Sequence, residues 1–280
     1  MATIIDGRAI ARTLRSEIAE TVKAMSVQPN LHVIIVGSDP ASVSYARSKG
    51  NACKNAGIAF TLHECPDTTT MDELKTLIVS LNEDSSVHGI MLELPLPRSL
   101  KTDEVVTWIK PEKDVDGITP TSAGHLYNGT DWLYPATPQS VMEILARIEY
   151  PLRGADAILV GYGATVGRPL ASLIMQKSPT LTICRSAVKD LPAKVRQADL
   201  VIAATGRADL IRGDMLKPGC TVIDVGVNLL EDGSMVGDVN FPEAEQIAGA
   251  ITPVPGGVGA LTTAIIMQNV LKAMKIQKIA

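Results

Sequence analysis

Strand-length apolar runs alternate with segments of helical period along this 280-residue chain, and that alternation restricts the fold more than any other feature. The runs fall at 31–37, 58–62, 88–92, 157–161, 181–184, 199–203 and 220–225. They are continuously apolar rather than alternating, the pattern of parallel strands covered by helices on both faces. Between them, Ile10, Leu14, Ile18, Val22 and Met25 recur every three or four residues and make one helical stripe. Segments 71–81, 141–148 and 261–274 behave in the same way. Because the 46% hydrophobic content includes only two Phe and two Trp, the core must be built mainly from aliphatic side chains. The expected fold class is α/β, in two domains.

Residues 119–138, rich in Pro, Gly, Thr, Asn and Ser, interrupt the alternation and mark a domain boundary. The expected division is a first domain over 1–138, completed by the final helix at 261–280, and a second over 139–260. Early in the second lies ILVGYGATVGRPLASLIM, a strand running into Gly161, Gly163 and Gly167 and then into a helix. Glycines at such a turn let the backbone approach a phosphate, and the helix N-terminus offers unpaired N–H groups. The GxGxxxG spacing is weak by itself, because the usual fingerprint is GxGxxG and a tight strand–helix turn needs no ligand. Its place at the head of a βαβ unit favours a dinucleotide. At the end of the next strand, Cys184-Arg185-Ser186 stands where NAD-binding folds usually carry an acid. A cation and a hydroxyl there suit a 2′-phosphate, so NADP is favoured over NAD. The plainer alternative is a solvated loop arginine.

A second cluster lies in the first domain. In VGSDPASVSYARSKGNACKNAGI, Asp39 reads as a helix N-cap and Pro40 as the first helical residue. On that helix Tyr45 and Lys49 are four apart and share a face. Such a pair can stack on a flat ring and handle a proton in one place, although similar pairs are common on solvated faces. GIMLELPLP puts Glu93 in an apolar strand end, where a carboxylate is costly unless something satisfies it. KDVDG at 113–117 and ITPVPGGVG at 251–259 are loops of fixed shape, and function concentrates on such loops. For KDVDG the plainer reading is an Asx turn, with Asp114 or Asp116 bonding its own backbone.

A net charge of −4 gives no reason to expect nucleic acid or an anionic membrane as a partner. Cys53, Cys65, Cys184 and Cys220 lie far apart and read as reduced, buried thiols. Neither a local zinc site nor a disulfide framework is expected from that spacing. The N-terminus lacks a signal-like apolar core and no apolar run reaches membrane-spanning length, so a soluble cytoplasmic protein is expected.

IIDGRAIA, VGSDPASVSYARSK, GIMLELPLP, PEKDVDGITP, YPATPQS, VGYGATVGRPLA, ADLVIAATGR, IDVGVN, GDV and ITPVPGGVG follow one another in order. Nearly end to end, this series resembles the methylenetetrahydrofolate dehydrogenase/cyclohydrolase family. The resemblance implies a two-domain homodimer that holds tetrahydrofolate derivatives between a catalytic domain and a Rossmann domain. It implies oxidation of 5,10-methylene-tetrahydrofolate by NADP, then hydrolysis of the methenyl product to 10-formyl-tetrahydrofolate. Carried over by position, Tyr45 stacks on the folate, Lys49 is the catalytic lysine of hydrolysis, and Asp116 holds the pterin. Pro255 and Gly257 help line the folate and nicotinamide region. The implied cofactor contacts are Gly161, Gly163, Ala164, Thr165, Val166, Gly167, Arg185, Ser186, Thr205, Gly206 and Val227. Hydride transfer asks mainly for near-attack geometry, whereas hydrolysis needs proton handling at an attacking water.

Several positions depart from the family pattern. Glu93 stands where Gln is usual, within reach of the catalytic lysine. A neutral amide orients that lysine and leaves its proton labile, whereas a carboxylate stabilises the ammonium and opposes its use as a base. The expectation is a Lys49–Glu93 pair, with dehydrogenation intact and cyclohydrolysis weak or absent. The alternative is a protonated Glu93 that behaves much like the amide. Gly161-Tyr162-Gly163 replaces Gly-Arg-Ser, which removes one usual cation for the 2′-phosphate, and Arg185 stands where His is frequent. Ala136, Ser140, Ser122 and Ala260-Leu261 also differ from the common residues. The rival readings are a monofunctional, NAD-linked dehydrogenase, a hydroxy- or amino-acid dehydrogenase, and a nucleotide-binding relative without activity. Neither of the last two accounts for Tyr45 and Lys49 together with KDVDG and PVPGGVG.

Overall fold

The structure is a computed structural model that describes residues 1–37 and 39–279. Ser38, within VGSDPAS, and Ala280, at the end of the last expected helix, lie outside the described residues. The chain begins with strand β1 (Thr3–Ile4) and helix α1 (Gly7–Lys23). Then come β2 (Asn30–Val36), α2 (Pro40–Asn55), β3 (Ala59–Cys65), α3 (Met71–Glu83) and β4 (Gly89–Leu92). Short helices α4 (Thr102–Val105) and α5 (Pro120–Asn128) flank the KDVDG loop, and α6 (Ala136–Arg147) follows. Next, β5 (Asp156–Val160), α7 (Gly167–Met175), β6 (Thr180–Cys184), α8 (Leu191–Val195), β7 (Leu200–Ala203) and β8 (Thr221–Asp224) alternate. A hairpin of β9 (Asn228–Leu229) and β10 (Met235–Val236) precedes α9 (Phe241–Ile247), β11 (Ala250–Ile251) and α10 (Thr262–Ile276).

The chain divides into two compact α/β units, Met1–Arg12 with Thr137–Thr262 and Thr13–Ala136 with Thr263–Ala280. Residues 1–12, expected with the first domain, cluster with the other unit because β1 pairs parallel to β11, Thr3 with Ala250 and Ile4 with Ile251. Two-residue strands carry no periodicity, so nothing in the sequence pattern announces that pairing.

The unit containing Thr13–Ala136 has a three-stranded parallel sheet in the order β3-β2-β4. Ile34, Val36, Ile90 and Leu92 on one face pack against Leu74, Ile78 and Leu81 of α3. A capping box fixes the start of α3, with Thr70 and Glu73 satisfying each other's backbone N–H. In α1, Leu14, Ile18 and Val22 are buried as their spacing predicts and Ile10 is half-buried, while Met25, expected on the same stripe, is half-buried just beyond the helix end at Lys23. Strand β3 runs past the expected 58–62 because it is the sheet edge, where Thr61 and Glu64 face solvent and end the apolar run early. The other unit carries a six-stranded sheet in the order β1-β11-β8-β7-β5-β6, and every pairing in it is parallel. Its core is aliphatic, with Ile158, Val160, Val201, Ala203, Val222 and Ile251 among the buried residues.

Of the four cysteines, Cys53, Cys184 and Cys220 are buried, whereas Cys65, expected to be buried, is half-exposed at the end of the edge strand; all four are free. Among the described residues no cluster of three or more His, Cys, Asp or Glu could hold a metal ion, and no helix is long and apolar enough to cross a membrane.

Candidate active site

Helix α2 begins with Asp39, whose carboxylate accepts from the Ser42 N–H at 2.9 Å, and with Pro40 in the first turn. Its buried stripe runs through Ala46, Lys49, Gly50 and Cys53. Lysine is foreign to such a stripe, yet Lys49 is only 4% exposed. A buried ammonium needs partners, and Lys49 has three. Its Nζ is ion-paired with Glu93, just beyond β4. It lies 4.6 Å from the centre of the Tyr45 ring and 3.8 Å from the Met91 sulfur. Tyr45, one turn earlier on α2, is half-exposed. The carboxylate that looked misplaced in an apolar strand end is the counter-charge of a buried lysine.

The two aspartates of KDVDG divide the work. Asp114 is fully buried and accepts from the Ile118 N–H at 3.1 Å, the Thr119 N–H at 2.8 Å and the Ser122 hydroxyl at 2.7 Å. The two backbone bonds reach four and five residues on rather than the two of the expected Asx turn, so Asp114 braces the entry to α5 instead. Among the described residues Asp116 is held by one long bond, from the Ala136 N–H at 3.4 Å. Burial pushes its carboxyl up to about 7; Asp114 and Glu93 push the same way, against the Ala136 N–H and Lys49. Glu93 and Tyr45 also border an 890 Å³ cavity together with Asp39, Asp67 and Leu94 to Pro97.

In the other unit, β5 ends at the glycine turn. A Cβ on Gly161, which has φ +108, would sit 2.0 Å from the Ala204 carbonyl oxygen, so only glycine fits there. Gly163 instead faces open space, with no atom within 4 Å of where its Cβ would be. Ala164, Thr165 and Val166 connect this turn to Gly167 at the head of α7. A 480 Å³ cavity opens at the ends of β5, β6 and β7, lined by Gly161, Tyr162, Gly163, Arg185, Ser186, Thr205 and Arg207 among others. The chain leaves β5 for β6 on one side and returns to β7 on the other, so this is a topological switch point, where open parallel sheets bind ligands. The open cradle at Gly163, the exposed cations and the apolar Val188, Leu191 and Leu210 fit a dinucleotide. Gly206 follows Thr205 in the same loop. Val227 is 58% exposed and does not line this cavity. Pro255 is exposed in the turn after β11, and Gly257 is buried there against Gly7.

Three acidic or basic residues of this unit escaped the sequence reading. Arg207 lines the cavity. Asp238 is fully buried beneath the loop that carries Arg207. Asp224 binds the N–H groups of Gly226, Asp238 and Val239 at 2.9, 3.0 and 2.9 Å, and burial pushes its carboxyl up to about 6. Both aspartates sit inside the quoted IDVGVN and GDV stretches, but only the fold reveals that they brace backbone.

Comparison with known proteins agrees with both halves of this arrangement. The tetrahydrofolate dehydrogenase/cyclohydrolase catalytic domain matches residues 5–116, and the NAD(P)-binding domain of the same family matches 135–278. The bifunctional protein FolD of Heliobacterium modesticaldum is 50% identical over 279 residues, covering 99% of this chain and 97% of that one. The crystal structure of the bifunctional FolD enzyme from Campylobacter jejuni superposes with a TM-score of 0.96 at 40% identity, covering 99% of this chain and 100% of that one. The Trypanosoma brucei methylenetetrahydrofolate dehydrogenase-cyclohydrolase, complexed with NADP and an inhibitor, gives 0.94 at 34% identity, covering 100% and 99%. With both domains matched and relatives of this identity aligned over almost the whole chain, the protein belongs to the tetrahydrofolate dehydrogenase/cyclohydrolase family.

Proposed function

We propose that this protein oxidises 5,10-methylene-tetrahydrofolate to the methenyl form with NADP, and that it hydrolyses the methenyl product only weakly. The observation that carries this reading is the buried Lys49–Glu93 ion pair beside Tyr45. The unit with Tyr45 and Asp116 binds the folate: Tyr45 offers its ring for stacking and Asp116 its carboxyl to the pterin. NADP, when bound at the glycine turn, supplies the hydride acceptor. The absence of any Asp or Glu among the described residues lining that cavity, together with Arg185 and Ser186, favours NADP over NAD. Pro255 and Gly257 are assigned to the folate and nicotinamide region, and the working molecule is a cytoplasmic homodimer, with a mass that light scattering would read directly.

Oxidation needs no strong protein base, so it is compatible with a lysine held as ammonium. Hydrolysis differs. Water adding to the methenyl carbon must lose a proton, and Lys49 takes that proton only as the free amine. Glu93 opposes that form by direct charge attraction and by occupying a lysine donor.

The test follows reduced cofactor and methenyl product together, with methylene-tetrahydrofolate and either NADP or NAD. Reduced NADP and methenyl product should appear in step, with the methenyl form accumulating. Glu93→Gln should raise methenyl hydrolysis about tenfold or more and leave oxidation within about threefold. Unchanged hydrolysis in that variant would refute the inhibitory role of Glu93, and absence of cofactor reduction would refute the enzyme reading itself.

A further inference from the structure

The cavity at the glycine turn holds a second cation. Arg185 and Ser186 follow β6, Arg207 follows β7, and all three line the same space. Both arginines are exposed, and neither forms an ion pair with a carboxylate among the described residues. No acidic side chain lines the cavity among those residues either. Two guanidinium groups facing one space without a counter-charge repel each other, and a ligand group carrying more than one negative charge relieves that repulsion.

Arg207 is also held in place. Asp238, fully buried, accepts from the N–H groups of Thr205, Gly206 and Arg207, the last two at 3.1 and 2.9 Å. It accepts further from the Thr205 hydroxyl at 2.9 Å and from the Asn228 amide at 3.0 Å. Just before this loop, Ala204 packs against Gly161. The backbone at 207 is therefore fixed relative to the glycine turn and to the end of β6. A dinucleotide's pyrophosphate belongs at the glycine turn and the α7 N-terminus. The ribose 2′ position belongs at the end of the second strand, beside Arg185.

We propose that Arg207 is a second cation for the cofactor's 2′-phosphate and so a cofactor-selecting residue, acting with Arg185 and Ser186. The proposal rests on NADP being the cofactor. Calorimetry on the full-length protein, with adenosine 2′,5′-bisphosphate and 5′-AMP as probes, tests it apart from turnover. Kinetics with NADP and NAD complete the experiment. Arg207→Ala should weaken the bisphosphate and raise the NADP KM about tenfold or more, as expected for loss of a charge-assisted contact. Binding of 5′-AMP and the NAD KM should stay within about twofold, and Arg207→Lys should recover part of the loss. Equal losses for both members of each pair would place Arg207 on the pyrophosphate and overturn the proposal, as would no loss at all. A wild-type protein that binds the bisphosphate no better than 5′-AMP would overturn the NADP reading, and the 2′-phosphate role of Arg207 with it.

Discussion

Asp116 shows how one residue's surroundings set a measurable property. Desolvation pushes the carboxyl of this half-buried residue up to about 7, with Asp114 and Glu93 adding to the rise. In the unfolded chain the same group ionises near the ordinary aspartate value of about 3.9. Between those values the folded protein holds a proton that the unfolded chain has released, so stability falls as pH rises from about 4 to about 7 and then levels. Asp116→Asn does not titrate. Its melting temperature, compared with wild type, should be relatively higher at about pH 8 than at about pH 5, and a difference independent of pH would rule the assignment out. With the carboxylate form proposed to hold the pterin, the same titration should raise the folate KM of the wild type as pH drops below neutrality. KDVDG illustrates what spacing leaves undecided. Asp114 and Asp116 are equivalent on paper, and only the fold shows that one is consumed by Ile118, Thr119 and Ser122 while the other keeps a single long bond among the described residues.

At the scale of the element, neighbouring strands β2 and β3 share an unusual pair. His32 Nδ1 and His63 Nε2 lie 2.9 Å apart, an arrangement that requires one ring to donate and the other to accept. Burial lowers both from the ordinary histidine value; for His32 the charges of His63 and Lys113 add to the shift and Asp84 opposes it. The unfolded chain therefore binds protons first as pH falls, and the pair loses stability for the fold below about pH 6.5. His63→Gln should raise the melting temperature at about pH 5 relative to that at about pH 7.5, compared with the same difference in the wild type, where Asp116 acts in the opposite direction. An unchanged difference would mean that the pair does not contribute to the acid sensitivity. The strands themselves were legible, since all seven apolar runs became strands of parallel sheets. What lay out of reach was pairing: β1 and β11 are two residues each, and Arg207 looks in sequence like any solvated arginine in a turn. Lys49 is the converse, because its place on the α2 stripe could have been read from Ala46 and Cys53 at helical spacing.

At the scale of the whole chain, the last helix decides how the KDVDG unit is closed. Its apolar period was visible, but which unit it covers depends on contacts that no local pattern encodes. Asn269 supplies the clearest of them. Buried on α10, it donates through its amide nitrogen to the carbonyls of Val115, 154 residues away in sequence, at 2.8 Å and of Tyr134 at 3.1 Å. Gln277 donates similarly to the carbonyls of His88 and Glu112 at 2.8 and 3.0 Å. These bonds tie the segments that carry Asp116 and Ala136 to the end of the chain. Asn269→Leu keeps the volume and removes the donor, leaving two buried carbonyls short of it. The expected loss is about 2 kcal/mol or more, since each unsatisfied buried group costs about 1–3 kcal/mol. Urea unfolding should read that loss as a lower midpoint at unchanged slope. Because Val115 adjoins Asp116, the folate KM should rise while binding of adenosine 2′,5′-bisphosphate, in the other unit, stays as in wild type. A variant that loses stability and both ligands together would mean that Asn269 supports the fold in general rather than the loop it bonds.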